Sequence, residues 1–132
     1  MTKELTPDVE EWIQKQGTHE GTVEVSVVVP AYNEEWRLPP TLIDIIDYFD
    51  SRNMSYEVIV VDDGSSDKTS KIVRKFEKIR KQVQLIQLPK NYGKGHAVRT
   101  GVLNAHGSLV LFAEADGSTP FQEFERLHKA IN

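Results

Sequence analysis

The sequence contains no cysteine, which excludes a disulfide framework and a thiolate metal site and fits a reducing compartment. It also has no apolar run near the roughly 20 residues that a membrane-spanning helix requires. The polar N-terminus lacks the pattern of a secretory signal peptide. We therefore expect a soluble chain in the cytoplasm, with the cytoplasmic face of a membrane as the alternative location.

Positive charge is scarce as well. The chain has 16 lysine and arginine residues against 20 aspartate and glutamate residues, which gives a formal net charge of −4 at pH 7. No long basic stripe is evident in the sequence to offset this balance, so we expect no nucleic-acid partner. With 132 residues, the chain has the length of one domain and can bury a core without staples.

Residues 1–22 differ from the rest of the chain. They are polar and show only one helical feature, the common face of Val9, Trp12 and Ile13. We interpret them as a polar N-terminal arm, with a helix for a partner or a membrane surface as the alternative. The domain itself is expected over residues 23–132.

From residue 23 onward, strand and helix patterns alternate four times. Apolar, β-branched runs predict strands at 23–30, 56–61, 83–88 and 108–113. Each run is followed by apolar residues at helical spacing. These residues are Leu42, Ile45, Ile46 and Phe49; Ile72, Val73, Phe76 and Ile79; Val98 and Val102; and Phe121, Phe124, Leu127 and Ile131. The alternation predicts an α/β fold with a mainly parallel sheet.

Three details of these elements can be predicted as well. Ser66 is placed to cap the second helix. The third helix is expected over 96–105, and Leu111 and Phe112 are expected in the core.

Four polar or glycine-rich segments follow the four strands. They are PAYNEE at 30–35, DDGSSD at 62–67, KNYGKGHA at 90–97 and EADGSTP at 114–120. Ligands of parallel sheets bind outside the carboxyl ends of the strands, where these segments meet. The sequence therefore predicts one site built from four loops.

Each loop alone has an ordinary structural explanation. Asp62 and Asp63 are adjacent and point to opposite sides, so one can reach a ligand while the other orients a loop, yet Asp-Gly-Ser is also common in turns. We expect Asp63 to lie at a strand end outside the core. The glycines around Lys94 suit a phosphate at a helix N-terminus, although they do not form a Walker loop and fit a plain turn equally well.

The two outer loops suggest a nucleotide and a cation. Tyr32 and Glu34 are placed to contact a base or ribose, or else Glu34 belongs to a solvated helix start. Glu114 and Asp116, two residues apart beyond a strand, project to one side. Mg²⁺ is typically held by one or two carboxylates together with substrate phosphates, so this pair is a candidate clamp for a metal and a diphosphate, with a capped turn as the alternative.

Taken together, the four segments resemble successive motifs of the family 2 glycosyltransferases with the GT-A fold. The matching segments are VSVVVPAYNEE, YEVIVVDDGSSDKT, NYGKGHAVRTG and LFAEADGSTP, and the likeness covers residues 24–132. Within the family they are most similar to dolichyl-phosphate β-glucosyltransferases and related polyprenyl-phosphate glycosyltransferases. The resemblance implies a Rossmann-like αβα sandwich, of which this chain is the N-terminal, nucleotide-binding half.

The resemblance also implies donor-binding residues. Those that line the uridine pocket or contact the base and ribose are Pro30, Tyr32, Glu34, Val61 (through its backbone), Asp62 and Asp63. Those that close around the nucleotide are Asn91, Gly93 and Lys94. Those at the sugar diphosphate are Glu114 and Asp116, which occupy the family's Asp-x-Asp position for Mg²⁺ or Mn²⁺, and Ala115 between them.

The implied activity is transfer of a sugar with inversion, glucose from UDP-glucose, to a polyprenyl or dolichyl phosphate. Glu114 departs from the usual Asp, so the ion is expected chiefly on Asp116. The family's acceptor pocket, catalytic base and membrane-facing helices come later in the chain, so we expect the base beyond Asn132 and membrane-surface association in a full-length parent. Two alternatives are a non-catalytic nucleotide-sugar-binding module or inactive fragment, and a signalling receiver with Asp62 and Asp63 in its phosphoacceptor pocket.

Overall fold

The computed structural model describes residues 23–118. The predicted arm at 1–22 and the predicted helix from Phe121 to Ile131 lie outside the described residues. The strands are β1 (Val25–Ala31), β2 (Tyr56–Asp62), β3 (Val83–Gln87) and β4 (Leu109–Phe112), and the helices are α1 (Leu38–Ser51), α2 (Thr69–Ile79) and α3 (Lys94–Leu103). The alternation of strands and helices predicted from the sequence is confirmed over these residues.

All strand pairs are parallel, in the order β3-β2-β1-β4. The two central strands, β1 and β2, run side by side from Val25 opposite Tyr56 to Ala31 opposite Asp62. Both are almost completely buried, which explains their near-continuous apolar sequence. Because every strand points the same way, the segments that follow β1 to β4 leave from the same edge of the sheet.

Helices cover both faces of this sheet. The larger apolar cluster joins α1 and α2 to one face, with Phe49, Leu42 and Ile45 of α1 fully buried against Val27 and Val58. The smaller cluster, on the other face, packs Ala97 of α3 against Ile59 and Val61 of β2. The described residues therefore form an αβα sandwich.

The inner face of α3 differs from the one predicted. Val102 is 40% exposed and Val98 only partly buried, whereas Ala97 and Gly101 face the sheet. A Cβ atom added at Gly101 would lie 2.3 Å from Cγ1 of Val28, so α3 approaches β1 more closely than a valine face allows. The helix also begins earlier than predicted, at Lys94, and ends at Leu103.

Two other residues expected in the core are exposed. Ile79, the last residue of α2, is 77% exposed because the chain turns into extended backbone at Arg80. Phe112 is 52% exposed, whereas Leu111 packs against the larger cluster as expected. Phe112 pairs with Val28 at the edge of the sheet, on the face where α3 lies over β1 and β2.

Ser66 does not cap α2, contrary to the prediction. The helix begins two residues later than a Ser66 cap requires, and Lys68 at the N-cap makes no side-chain capping bond. The Ser66 N–H instead donates to Oδ1 of Asn33 at 2.9 Å, which leaves the serine in the loop before the helix. The carboxylate of Asp67 accepts the Thr69 N–H at 2.9 Å and so takes over the capping function.

A buried polar cluster fixes the opposite edge of the sheet. Glu57 on β2 accepts the Ser26 hydroxyl at 2.6 Å and the His106 N–H at 2.7 Å, and the Gly107 N–H donates to the Ser26 hydroxyl oxygen at 2.7 Å. These bonds satisfy a carboxylate that is only 7% exposed. They also hold the chain that leads into β4 against β1 and β2.

The packing of α3 makes a testable prediction about stability. In Gly101→Ala, the methyl group would overlap the stiff, buried side chain of Val28, at a cost of about 1–3 kcal/mol. Alanine regains about 1 kcal/mol of helix propensity, so we expect a net loss in the free energy of unfolding in urea.

The matched control is Gly95→Ala in the first turn of the same helix, where an added Cβ meets nothing within 4 Å. This variant should be neutral or more stable by up to about 1 kcal/mol. Equal stability of the two variants would contradict the close approach of α3 to β1.

Candidate functional site

The loops at the carboxyl edge of the sheet enclose an open cavity of about 340 Å³. It is lined by Pro30, Ala31, Tyr32, Glu34, Asp63, Asn91, Gly93, Lys94, Ala97, Glu114, Ala115 and Asp116. The structure therefore brings together all the site residues predicted from the sequence except Val61 and Asp62. Ala31 and Ala97 are additions, and both are buried residues at the base of the cavity.

The loop after β1 is bonded to the loop after β2 through Asn33. Its backbone has a φ of 53°, and its side-chain Oδ1 accepts the N–H groups of Ser66 at 2.9 Å and Asp67 at 3.3 Å. The next residue, Glu34, donates its N–H to Oγ1 of Thr69 at 2.9 Å. Asn33 was not among the predicted site residues, although asparagine's tolerance of positive φ was a usable signal.

The loop after β2 also lies against the loop after β3. Gly64 has a φ of +74°, and a Cβ atom there would lie 2.3 Å from the carbonyl carbon of Lys90 and 2.5 Å from the nitrogen of Asn91. Only glycine combines that backbone conformation with so close an approach. Three consecutive loops are thus packed against one another.

Asp63 holds the loop after β3 in place. One carboxylate oxygen accepts the Tyr92 N–H at 2.8 Å, and the other accepts the Gly93 N–H at 3.0 Å. The residue is only 3% exposed, so the expectation that it lies outside the core is wrong. The physical reason is that the loop folds over the end of β2 and encloses the carboxylate to satisfy its own amides.

Val61 and Asp62 do not line the cavity. Both are completely buried in the last part of β2. Oδ1 of Asp62 accepts the Ser65 N–H at 3.0 Å and so shapes the turn that contains Gly64, while Oδ2 has no hydrogen-bond partner among the described residues. Contact of these two residues with a ligand stays a prediction.

Lys94 and Glu114 form an ion pair across the cavity. The ammonium group of Lys94, at the start of α3, lies 2.6 and 2.8 Å from the two carboxylate oxygens of Glu114, just beyond β4. Both side chains are about half exposed, 61% and 48%, so a pair of this kind contributes only about 0–1 kcal/mol to stability. Exchanging this contact for one with another partner therefore costs little free energy.

A second cation, Arg37, lies between Glu34 and Asp116, two residues that line the cavity. Its guanidinium group donates a hydrogen bond to Glu34, and it approaches Oδ2 of Asp116 to 3.9 Å. Glu34 raises the pKa of Arg37, while hydrogen bonds from Ser118 and then the charge of Arg37 lower the pKa of Asp116. Arg37 was missed in the sequence, where its position near the start of a helix resembles that of a solvated residue.

The loop after β4 is held by Thr41 of α1. Its buried hydroxyl lies 3.0 Å from the carbonyl oxygen of Ala115 and 2.8 Å from that of Arg37. Ala113 donates its N–H to the carbonyl of Val28 at 3.0 Å, and Gly117 donates to that of Glu114. This bonding turns the side chains of Glu114 and Asp116 toward the cavity that both of them line.

The donor set for a metal ion is small. The described residues contain no cluster of three or more His, Cys, Asp or Glu side chains that could hold an ion. Of the four carboxylates that line the cavity, Glu114 and Asp116 lie on the same loop, and Lys94 lies beside them. This set fits Mg²⁺ or Mn²⁺ only where phosphate oxygens of a ligand complete the coordination.

Comparison with known sequences identifies the family. The model of the family described as Glycosyl transferase family 2 matches residues 26–132. The chain belongs to glycosyl transferase family 2. This assignment confirms the resemblance of the four loop motifs and leaves the signalling-receiver alternative without support.

Curated relatives show more specifically which proteins this chain resembles. The human protein named dolichyl-phosphate beta-glucosyltransferase is 46% identical over 118 residues, which cover 84% of this chain and 36% of the human one. The Drosophila melanogaster protein of the same name is 43% identical over 117 residues, with 83% and 36% covered. The chain thus spans about a third of the length of these relatives.

Solved structures of family 2 relatives share the fold. Staphylococcus aureus TarS 1-349 in complex with UDP-GlcNAc superposes with a TM-score of 0.63 at 30% identity, covering 82% of this chain and 30% of that one. The mannosyltransferase PcManGT from Pyrobaculum calidifontis, in complex with GDP-Man and Mn²⁺, gives 0.61 at 28%, with 83% and 35% covered. The predicted GT-A-type sandwich is confirmed, and it covers part of these relatives.

In the stretch from residue 23 to residue 118, none of the helices has the length and apolar character needed to cross a bilayer.

The buried carboxylate of Asp63 leads to a prediction. Asp63→Ala should leave the N–H groups of Tyr92 and Gly93 without their acceptor, at about 1–3 kcal/mol for each group that stays buried. We expect the free energy of unfolding in urea to fall by about 2 kcal/mol or more, with a smaller loss in Asp63→Asn, which keeps one acceptor oxygen.

The exposed Asp44 of α1 provides the control, because Asp44→Ala removes the same group from a solvated site. This control should change stability by no more than about 0.5 kcal/mol. A similarly small change in Asp63→Ala would show that the clamp on the β3–α3 loop contributes nothing.

Proposed function

We propose that this chain is the donor-binding part of an inverting glycosyltransferase that uses UDP-glucose. The observation that carries the proposal is a cavity formed by the four loops, whose lining includes polar groups suited to a nucleoside diphosphate. The names of the curated relatives support a dolichyl or other polyprenyl phosphate as the acceptor. We place the reaction at the cytoplasmic face of a membrane, where a lipid phosphate acceptor is accessible.

The wall formed by Tyr32, Glu34 and Asp63 is the proposed uridine subsite. Glu34 lines the cavity, and its Oε2 is buried without a hydrogen-bond partner among the described residues. An unsatisfied carboxylate oxygen calls for a donor, and uracil N–H and ribose hydroxyl groups are such donors. The ring of Tyr32 is 48% exposed and can provide a flat surface for the base.

The proposed diphosphate subsite consists of Lys94, Glu114 and Asp116, which also line the cavity. Lys94 lies in the first turn of α3, where the helix N-terminus and a flexible ammonium group both favour an anion. Glu114 and Asp116 would hold Mg²⁺ or Mn²⁺, and this ion would supply positive charge to stabilise the departing diphosphate. Asp116 is the main proposed ligand because it keeps the residue type of the family motif.

In the proposed diphosphate subsite, the opposite charges of Lys94 and Glu114 compensate each other. Without a ligand, each residue neutralises the other at 2.6 Å. A bound diphosphate would accept the hydrogen bonds of Lys94, and Glu114 would then be available, with Asp116, to hold a cation. Because the half-exposed pair is weak, this exchange costs little. It makes the binding of metal and of diphosphate interdependent.

In the proposed reaction, an oxygen of the acceptor phosphate attacks the anomeric carbon of glucose. The new carbon–oxygen bond forms as the bond to the diphosphate oxygen breaks, with inversion, and UDP departs with the electron pair. Lys94 stabilises the charge that develops on the diphosphate. The base and the acceptor pocket are proposed to lie beyond Asn132.

The alternative function is a nucleotide-sugar-binding module without catalysis. It is favoured by one observation on the site: the first residue of the metal motif is a glutamate paired with Lys94, instead of an aspartate free for a metal. Turnover of UDP-glucose with added polyprenyl phosphate distinguishes this alternative from the enzyme.

The first test of the proposal is binding. UDP with Mg²⁺ or Mn²⁺ should bind the chain in calorimetry and raise its thermal unfolding midpoint, because a ligand at about 100 times its Kd adds roughly 2.7 kcal/mol. Absence of UDP binding with either metal, to a chain whose circular dichroism shows it to be folded, would contradict the nucleotide site.

The second test examines the two carboxylates separately. Asp116→Asn should remove most of the metal-dependent part of UDP binding, since a neutral amide is a much weaker ligand for a divalent cation than a carboxylate is. Glu114→Gln should cost less of this metal dependence. A reversed order of the two losses in titrations with and without Mn²⁺ would assign the metal chiefly to Glu114.

The third test uses the ion pair between Lys94 and Glu114, and it predicts a gain in UDP binding instead of a loss. In the absence of metal, Glu114→Gln should bind UDP more tightly than the wild type, by about two- to five-fold, because Lys94 no longer has to leave a carboxylate. Lys94→Gln should abolish this gain when combined with Glu114→Gln. Weaker metal-free binding in Glu114→Gln alone would contradict the charge exchange.

A further inference from the structure

The outer face of α2 concentrates positive charge on a chain whose net charge is negative. Four lysines, which we call the lysine stripe, lie at positions 68, 71, 75 and 78 and are all exposed: Lys68, Lys71, Lys75 and Lys78. No long basic stripe is evident along the sequence, and this short one forms because residues spaced three and four apart lie on one side of a helix.

The spacing of three, four and three residues places the lysine stripe on one side of the helix. It extends over ten residue steps, from position 68 to position 78, which at about 1.5 Å per step makes it about 15 Å long. The opposite side carries Val73 and Phe76, which pack into the larger apolar cluster. The helix is therefore strongly amphipathic, with its basic side turned away from the sheet.

Acidic side chains among the described residues do not pair with the lysine stripe. Among residues 23–118, none of its four ammonium groups is in an ion pair with a carboxylate. Glu77, the only acidic residue of α2, turns its carboxylate toward β3 and accepts the Leu85 N–H at 2.8 Å. Arg74 is bonded to Gln87 at 2.8 Å and is likewise directed at the sheet.

We propose that the lysine stripe docks on the surface of a bilayer that contains anionic phospholipids. Four adjacent cations, one at the N-cap and three along an amphipathic helix, complement such a surface, where each contributes about 1 kcal/mol of attraction. Ile79, which is 77% exposed next to Lys78, adds an apolar group that the interface can accept.

A nucleic acid fits the stripe less well. Single-stranded nucleic acids are bound by basic grooves with exposed aromatic rings, and the one ring of α2, Phe76, packs against the core. A duplex is bound chiefly through its phosphates, so the test below includes one as a competitor. The bilayer also agrees with the proposed function, on which this inference rests in part, because the proposed acceptor is a lipid phosphate. Lys68 belongs to the loop after β2, so one end of the stripe lies at the edge of the sheet where the cavity opens.

The test is co-sedimentation of the 132-residue chain with vesicles at about 0.1 M salt. We expect binding to vesicles of phosphatidylcholine mixed with anionic phosphatidylserine and no binding to pure phosphatidylcholine. Raising the salt to about 1 M, where screening reduces the Debye length to about 3 Å, should release the protein.

The variant that tests the stripe is Lys71→Gln/Lys75→Gln/Lys78→Gln. At about five-fold per lysine, its partition coefficient should fall on the order of 100-fold. The matched control is Arg52→Gln/Lys90→Gln/Arg99→Gln, which removes the same charge from exposed positions elsewhere and should retain most of the binding. Circular dichroism of both variants checks their folding.

Three outcomes would overturn the inference: no binding of the wild type to anionic vesicles, equal losses in the two variants, or tighter binding to a duplex RNA than to the vesicles. UDP titrations of the same variants separate this inference from the proposed function. The stripe variant should bind UDP with Mn²⁺ as the wild type does. If neither the stripe variant nor the wild type bound UDP, this result would count against the nucleotide site and not against the lysine stripe.

Discussion

The buried carboxylate of Asp63 is the contact on which the shape of the site depends. It stands at the end of the central strand β2 and binds two backbone N–H groups of the loop after β3. That loop leads directly into α3, so the same contact fixes the position of Lys94. Gly64 permits the approach because a side chain there would overlap the backbone of Lys90. A loop that folds over a strand end needs such an acceptor, since its amides are removed from water.

The charges around the cavity are arranged in two pairs. Lys94 faces Glu114, and Arg37 lies between Glu34 and Asp116. This arrangement keeps three carboxylates close together, because the two cations compensate for the repulsion between them. It also suits a ligand that carries negative charge and brings a cation, since the half-exposed pair of Lys94 and Glu114 can exchange partners at low cost.

Much of the fold could be predicted from the sequence. Buried β-branched strands, the apolar face of α1 and the four loop motifs are local patterns, and the parallel sheet brings the loops to one edge. The contacts that depend on close approach could not be predicted in this way. Gly101 and Ala97, and not the valines of α3, face the sheet because the helix lies unusually near β1, and no periodicity reveals that distance.

The candidate site likewise has features that could be predicted from the sequence and features that could not. Sequence patterns could predict which loops form the cavity, and all but two of the predicted residues line it. The burial of Asp63, the bonding of Asn33 across two loops and the position of Arg37 arise from pairs of residues distant in sequence. Such pairings follow from the packing of one loop on another, and a single sequence carries no direct record of them.

The central claim is that the four loops bind one nucleoside diphosphate, and amide chemical-shift mapping tests it most directly. On titration of the ¹⁵N-labelled chain with UDP and Mg²⁺, the account predicts the largest shifts at residues 32–35, 63–64, 91–95 and 113–117, all with one dissociation constant. Shifts confined to the opposite edge of the sheet, around Glu57 and His106, or no shifts at saturating UDP, would contradict it.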